Sequence, residues 1–274
     1  MFIVSSCTLS NPPQELPFYI RINSVDLSTD YSVQGSNAQK ITDVWIYSDN
    51  NLTGAFELPA LIPVVPAGNH TLTIRAGIEA SGFTDLRIRY PFYEPFTVTL
   101  SQSSESTIEL NPVITYYDST LFLWLEDFES SGFTLGAAQQ NTAPMLMITD
   151  PYIVFEGQKC IGIYLDPSLT FKAISEGGSS PFQIPQGDVF LELNYRCSNT
   201  FSTGIVVNQS GVTLDIPVLT LYPSPAWNKI YIDLTGPVKN YQNAGTFDVF
   251  FSAQPDAGLP VSEIYMDNIK LVTR

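Results

Sequence analysis

The sequence predicts an all-β chain of two domains, and three observations carry that reading. Apolar residues recur with a period of two along most of the chain. The alternating runs are rich in β-branched and aromatic residues and end in Gly, Pro, Asn or Ser clusters, as strands do. No window holds a sustained 3.6-residue apolar stripe, and 20 prolines would interrupt long helices. The length of 274 residues, set against roughly 150 per domain, gives two domains. Each is long enough to bury a core of its own.

Taken in order, Phe18-Tyr19-Ile20-Arg21-Ile22 opens the pattern and Asp43-Val44-Trp45-Ile46-Tyr47 repeats it. His70-Thr71-Leu72-Thr73-Ile74-Arg75, Phe96-Thr97-Val98-Thr99-Leu100 and Thr107-Ile108-Glu109-Leu110 continue it, with turns at Asp49-Asn50-Asn51, Pro66-Ala67-Gly68-Asn69 and Ser81-Gly82. A boundary falls between Thr115 and Thr120. Beyond it come Leu121-Phe122-Leu123-Trp124-Leu125, the acidic turn Glu126-Asp127-Phe128-Glu129, and longer strands. Residues 1–13 read as a truncated signal and tether, 14–117 as the first sandwich and 118–274 as the second.

Twelve Lys and Arg against 27 Asp and Glu leave a net charge of −15. Such a field repels a phosphate backbone and an anionic lipid surface, so no nucleic-acid partner is expected. The single His70 cannot support His-rich metal sites, and one His with three Cys supplies no zinc set. A serine-type triad would have to use His70, which sits in a turn-to-strand segment with no nucleophile elbow elsewhere. Among 27 acids some pair is always arguable as a glycosidase dyad, so spacing alone carries nothing. The expectation is a binding protein, not an enzyme.

Val4-Ser5-Ser6-Cys7 resembles a bacterial lipobox, an aliphatic residue and two small ones before a cysteine. That resemblance implies lipidation of Cys7 and an outer-membrane anchor, with the proline-rich Thr8–Pro17 stretch as a tether. The six residues before Cys7 are too few for the apolar core of a full signal. Cys160 and Cys197 each fall in strand-like runs. A disulfide between them and a pair of buried free thiols are both open.

Two further resemblances set expectations for the domains. Val65-Pro66-Ala67-Gly68-Asn69-His70-Thr71-Leu72, preceded by Val44-Trp45-Ile46-Tyr47, resembles the turn and strand of PEGA-like and transthyretin-like sandwiches. The segment from Arg89 to Phe96 is similar to surface lipoproteins of Bacteroidetes. In the second domain Glu126-Asp127-Phe128-Glu129, Trp227-Asn228-Lys229-Ile230-Tyr231 and Tyr265-Met266-Asp267-Asn268-Ile269 are similar to carbohydrate-binding-module-like (galactose-binding-like) jelly rolls. That family implies a jelly-roll sandwich and a structural Ca²⁺ where its first and last strands meet. The matching positions are Glu129 and Asp267, with Glu126 or Asp127 able to join.

Aromatic residues suggest where a ligand or partner would sit. Trp45 and Trp124 alternate within strands and read as core, and Trp227 as packing. Tyr90, Phe92, Tyr93 and Phe96, with prolines between them, read as an exposed interface loop. Two functions follow. The first is a non-catalytic, lipid-anchored surface protein that binds polysaccharide through its jelly roll. The alternative is a structural subunit of an outer-membrane transport, secretion or assembly complex.

Overall fold

The computed structural model describes residues 15–138, 142–175, 180–258 and 261–274. Cys7 lies outside them. The period of two becomes sheet nearly everywhere. In the N-terminal part Phe18–Ile22 runs antiparallel to Ala60–Val64 and parallel to Thr107–Leu110. Its Phe18, Ile20 and Ile22 are fully buried. They face a five-stranded sheet in which Asp43–Ser48 lies between Asn51–Glu57 and Gly68–Glu79. Gly68–Glu79 also pairs along its far edge with Arg87–Arg89 and Phe96–Gln102. Leu72, Ile74, Ala76 and Ile78 point inward from that long strand, so alternation alone builds this core. Helix is confined to the short segments Tyr31–Gln34 and Thr235–Asn240 and a 3-10 turn at Gln242–Ala244, among the described residues.

The C-terminal part stacks two larger sheets. One, called here the junction sheet, runs Met145–Ile148, Cys160–Leu165, Ser262–Thr273, Val189–Cys197 and Ser224–Asp233, with Leu121–Glu126 also paired to Ser262–Thr273. The other, the groove sheet, runs Leu135–Ala137, Phe171–Ser175, Thr246–Ala253, Phe201–Gln209 and Val212–Leu221, with Phe182–Gln183 on Thr246–Ala253. Trp124, Phe128, Leu191, Leu193, Phe247 and Phe251 fill the space between them. Cys160 and Cys197 are buried free thiols. Burial pushes the Cys160 thiol up to about 12.

The outer face of the junction sheet carries the N-terminal part. Tyr90, Phe92, Tyr93 and Tyr116 share one core with Phe190, Tyr231 and Val272. Rings meet edge-on or tilted, with Tyr90 at 4.8 Å from Tyr231 and 5.4 Å from Phe190. The backbone joins in as well. Ala80 bridges to Tyr231, and the Ser81 N–H donates to the Tyr231 carbonyl at 2.7 Å. The expected exposed loop is therefore corrected. Tyr90, Phe92 and Tyr93 are 3%, 0% and 3% exposed, and Phe96 is half-buried. Aromatic rings and prolines in a loop signal contact, and here the contact is with the same chain.

Charge is buried in this seam too. The Tyr90 and Tyr116 hydroxyls donate to Glu192 Oε1 at 2.7 and 2.9 Å. Lys229 Nζ forms an ion pair with Glu192 Oε2 at 2.9 Å. Burial alone would push the Glu192 carboxyl up; the ammonium groups of Lys229 and then Lys270, with the Tyr90 hydroxyl, outweigh it and hold it below its ordinary value. Burial pulls Lys270 down to about 7 against the attraction of Glu192. Its ammonium donates to the Ser36 carbonyl at 2.5 Å and lies 5.0 Å from the Tyr116 ring centre.

Candidate functional site

The groove sheet exposes the face opposite its core. Alternation turns Phe171, Phe201, Ile205, Phe247 and Phe251 inward. Register aligns the outward residues into rows across the strands. One row is Lys172, Ser252, Ser202 and Thr220, and the next is Ile174, Phe250, Gly204 and Pro217. A third holds Asp248, Val206 and Asp215. Two depressions lie on this face, of about 620 and about 320 Å³. The larger reaches from Lys172 and Ser202 to Gln254 and Asp256, and the smaller from Ile174 and Val206 to Asn208 and Asp248.

Lys172 crosses this surface. Its ammonium passes 5.8 Å from the Phe250 ring centre and reaches Asp215 Oδ2 at 2.5 Å, spanning from its own strand to the far edge strand. Gly204 lets the edge strand and the Phe250 ring close in on its own strand. A Cβ there would collide with the Ile216 carbonyl oxygen and stand 2.9 Å from the Phe250 ring. At the rim, Asp256 accepts from the Thr200 N–H at 2.7 Å and the Thr200 hydroxyl at 2.5 Å. Ser202 and Thr220 hydroxyls sit 3.0 Å apart across the strands. The result is a shallow, hydroxyl-rich surface with one ammonium and fixed carboxylates. Such a surface can hold a polyhydroxylated ligand by hydrogen bonds. Asp215 and Asp256 are each engaged, one by Lys172 and one by Thr200, so neither is placed as a free acid or base.

The sequence-predicted site residues fall elsewhere. Glu129 and Asp267 flank the turn at 156–159. Glu129 Oε1 accepts from the N–H groups of Gln158 and Lys159, at 2.7 and 2.9 Å. Asp267 accepts from the Asn268 N–H at 2.8 Å and, at 3.4 Å, from that of Glu156. Burial, only partly offset by those N–H groups and reinforced by Glu156 and Glu129, pushes the Asp267 carboxyl up to about 8. Among the described residues no group of three or more His, Cys, Asp or Glu is gathered to hold a metal. Glu126 is spent on its own turn, accepting from the Phe128 and Thr134 N–H groups, and Asp127 accepts from the Tyr31 hydroxyl. The Glu129–Asp267 pair would need main-chain carbonyls and water to reach the six to eight oxygens of Ca²⁺.

His70 is a turn lock. Ser48 Oγ and Asp49 Oδ2 both approach Nδ1, at 3.0 and 2.7 Å, while Nε2 donates to the Pro66 carbonyl at 2.7 Å. A triad needs its serine and its acid on opposite ring nitrogens. Trp124 is core as expected, and Trp227 packs on Phe155 and donates to the Ile153 carbonyl. Trp45 departs from expectation: it is half-buried on the outer face of its sheet, under Arg89. Sequence reading missed Lys172, Gly204, Asp215 and Phe250. The one available signal was Phe247-Asp248-Val249-Phe250-Phe251, where aromatic residues occupy both faces of a single strand.

Fold and site together define a class: an all-β protein with a sandwich that exposes a polar groove on one sheet. No family model and no curated protein matches the chain. Solved structures do. The C-terminal family 22 carbohydrate binding module of Clostridium thermocellum Xyn10B aligns at 13% identity, TM-score 0.41, over 57% of this chain and 97% of that one. The K2 cleaved adhesin domain of Lys-gingipain aligns at 14% identity, TM-score 0.37, over 57% and 98%. A point mutant of the family 29 carbohydrate binding module CBM29-2 aligns at 14%, TM-score 0.35, over 57% and 91%.

Proposed function

We propose that this chain binds glycan, and that the outer face of the groove sheet is where it does so. The observation that carries the reading is the Lys172–Asp215 pair, its ammonium beside the Phe250 ring, on a face that carries two depressions. It supplies donors and acceptors on a face where two depressions follow one another, which suits more than one sugar ring. Carbohydrate binding modules among the similar structures point the same way without adding weight of their own. The role proposed is capture without chemistry, by an outer-membrane lipoprotein anchored through Cys7. The lipobox resemblance supports the anchor, and no described helix is long and apolar enough to cross a membrane. The alternative of a subunit in an outer-membrane complex draws on the low charge content and on aromatics near Tyr90–Phe96 or Tyr116–Tyr117, of which Tyr90, Phe92, Tyr93 and Tyr116 are covered by this chain itself.

Affinity electrophoresis and an array of neutral polysaccharides test the reading. Retention by at least one polymer is expected, with a loss of roughly tenfold or more in Lys172→Met. No retention, or equal retention by the variant, overturns it. A structural Ca²⁺ at Glu129 and Asp267 is a second part of the proposal, favoured by a buried carboxylate beside two others. Adding Ca²⁺ after chelation should raise the melting temperature of the wild type and leave Asp267→Asn unchanged. A wild-type melt indifferent to chelator and Ca²⁺ removes the ion from the account.

A further inference from the structure

The five-stranded sheet of the first sandwich has an outer face that the groove proposal does not use. Register places Trp45 opposite Arg75, Tyr47 opposite Thr73, and Gly77 opposite Arg89. Arg75 and Arg89 are thus diagonal neighbours on adjacent strands, a spacing of roughly 7–8 Å. Both line a depression of about 430 Å³ with Tyr47, Thr73, Pro95 and Thr97. Their partners among the described residues are neutral. Arg89 donates to the Tyr47 hydroxyl at 2.8 Å and lies 5.5 Å from the Trp45 ring centre, and Arg75 reaches the Tyr117 hydroxyl at 3.4 Å. The carboxylates of Asp43, Glu57 and Glu79, on the same sheet, are gathered by Arg87 instead, at 3.4 to 3.6 Å.

Two like charges side by side repel each other, and a chain of net charge −15 has acids to spare for pairing them. Among the described residues, none lines this depression. The guanidinium groups are held by aromatic rings and phenol oxygens, which fix their planes while leaving most of their donors unused. We propose that this depression is an anion site for a carboxylate carried on a sugar ring. The guanidinium forks match a planar carboxylate in two-point contact. Thr73 and Thr97 offer hydroxyls, and the half-buried Tyr47 ring offers an apolar wall, which suit the rest of a pyranose better than a bare phosphate. The overall negative charge still excludes an extended phosphate backbone, which needs a continuous basic track. Asp43, which lies over Gly77 on this face, is already taken by the Thr42 and Trp45 side chains and by Arg87, and at physiological salt more distant acids are screened within roughly 8 Å, so Arg75 and Arg89 set the preference of the depression.

The site is independent of the groove, and calorimetry on the full chain separates the two. The probe is trigalacturonate, with galactotriose as its neutral counterpart and inorganic phosphate as competitor. The wild type should bind trigalacturonate and not galactotriose. Arg75→Gln with Arg89→Gln should lose roughly tenfold or more per guanidinium at an unchanged melting temperature, and Lys172→Met should bind as the wild type does. Equal binding of both trisaccharides overturns the inference, as does full binding by the double variant. So does loss in Lys172→Met alone, which would put the acid in the groove. Displacement by equimolar phosphate also overturns it, because the site would then read charge and not a sugar acid.

Discussion

Two lysine–carboxylate pairs in this chain share chemistry and differ in almost everything else. Glu192 and Lys229 have side chains 0% and 3% exposed, walled in by tyrosines from both sandwiches. Lys172 and Asp215 are 20% and 44% exposed on an open sheet face. The sealed pair cannot be traded for water, and removing one member strands the other in a low-dielectric seam. The open pair exchanges with solvent at little cost, so a ligand can displace it or bond to it. Burial, more than distance, separates the two pairs here.

The largest test breaks the sealed pair. Glu192→Gln leaves Lys229 and Lys270 buried without their shared carboxylate and should cost about 3–5 kcal/mol in urea unfolding. A loss below about 1 kcal/mol would mean the seam is wetter than its burial implies. A smaller effect comes from pH. Lys270 ionises near 7 when folded against 10.5 ordinarily. Between those values the unfolded chain holds a proton there that the folded chain lacks, so this lysine's contribution makes stability rise with pH. The penalty is full below about 7 and gone above the ordinary value. Asp267 acts in the opposite sense up to about 8. The quantity to measure is therefore the difference between wild type and Lys270→Met, expected to change by about 1–2 kcal/mol from pH 7 to 9. Parallel pH profiles would contradict a depressed Lys270. Smallest of all, Lys172→Met should change stability by less than about 1 kcal/mol while weakening polysaccharide retention. A large loss of stability would show that the open pair is also a structural brace.

Much of the fold was legible because half-buried strands write their burial into alternation. Phe18–Ile22 and Thr107–Leu110 match the run read from sequence residue for residue. Ser262–Thr273 was harder to delimit. Nearly every residue in it is buried, with core on one face and loops or the first sandwich on the other, and polar Asp267, Asn268 and Lys270 are covered along with the rest. The groove was not legible for a related reason. Lys172, Gly204, Asp215 and Phe250 come from four strands, and only register brings them together. The Tyr90–Phe96 loop shows the converse limit. Sequence marks it as contact-forming, but the identity of its partner is a property of the tertiary arrangement.

The seam has one more consequence. Tyr231 takes a hydrogen bond from the Lys40 N–H at its hydroxyl and one from the Ser81 N–H at its carbonyl, so a single residue ties both ends of the contact. The separation between groove and arginine face is then set by packed rings, with no flexible linker to average over. If both faces bind sugar as proposed, two sites at a fixed distance act as a caliper. A polymer long enough to touch both gains from effective concentration, and a fragment too short to span them gains nothing. Affinity for an acidic polysaccharide should therefore climb in a step with chain length, and the length at the step would measure the gap between the sites.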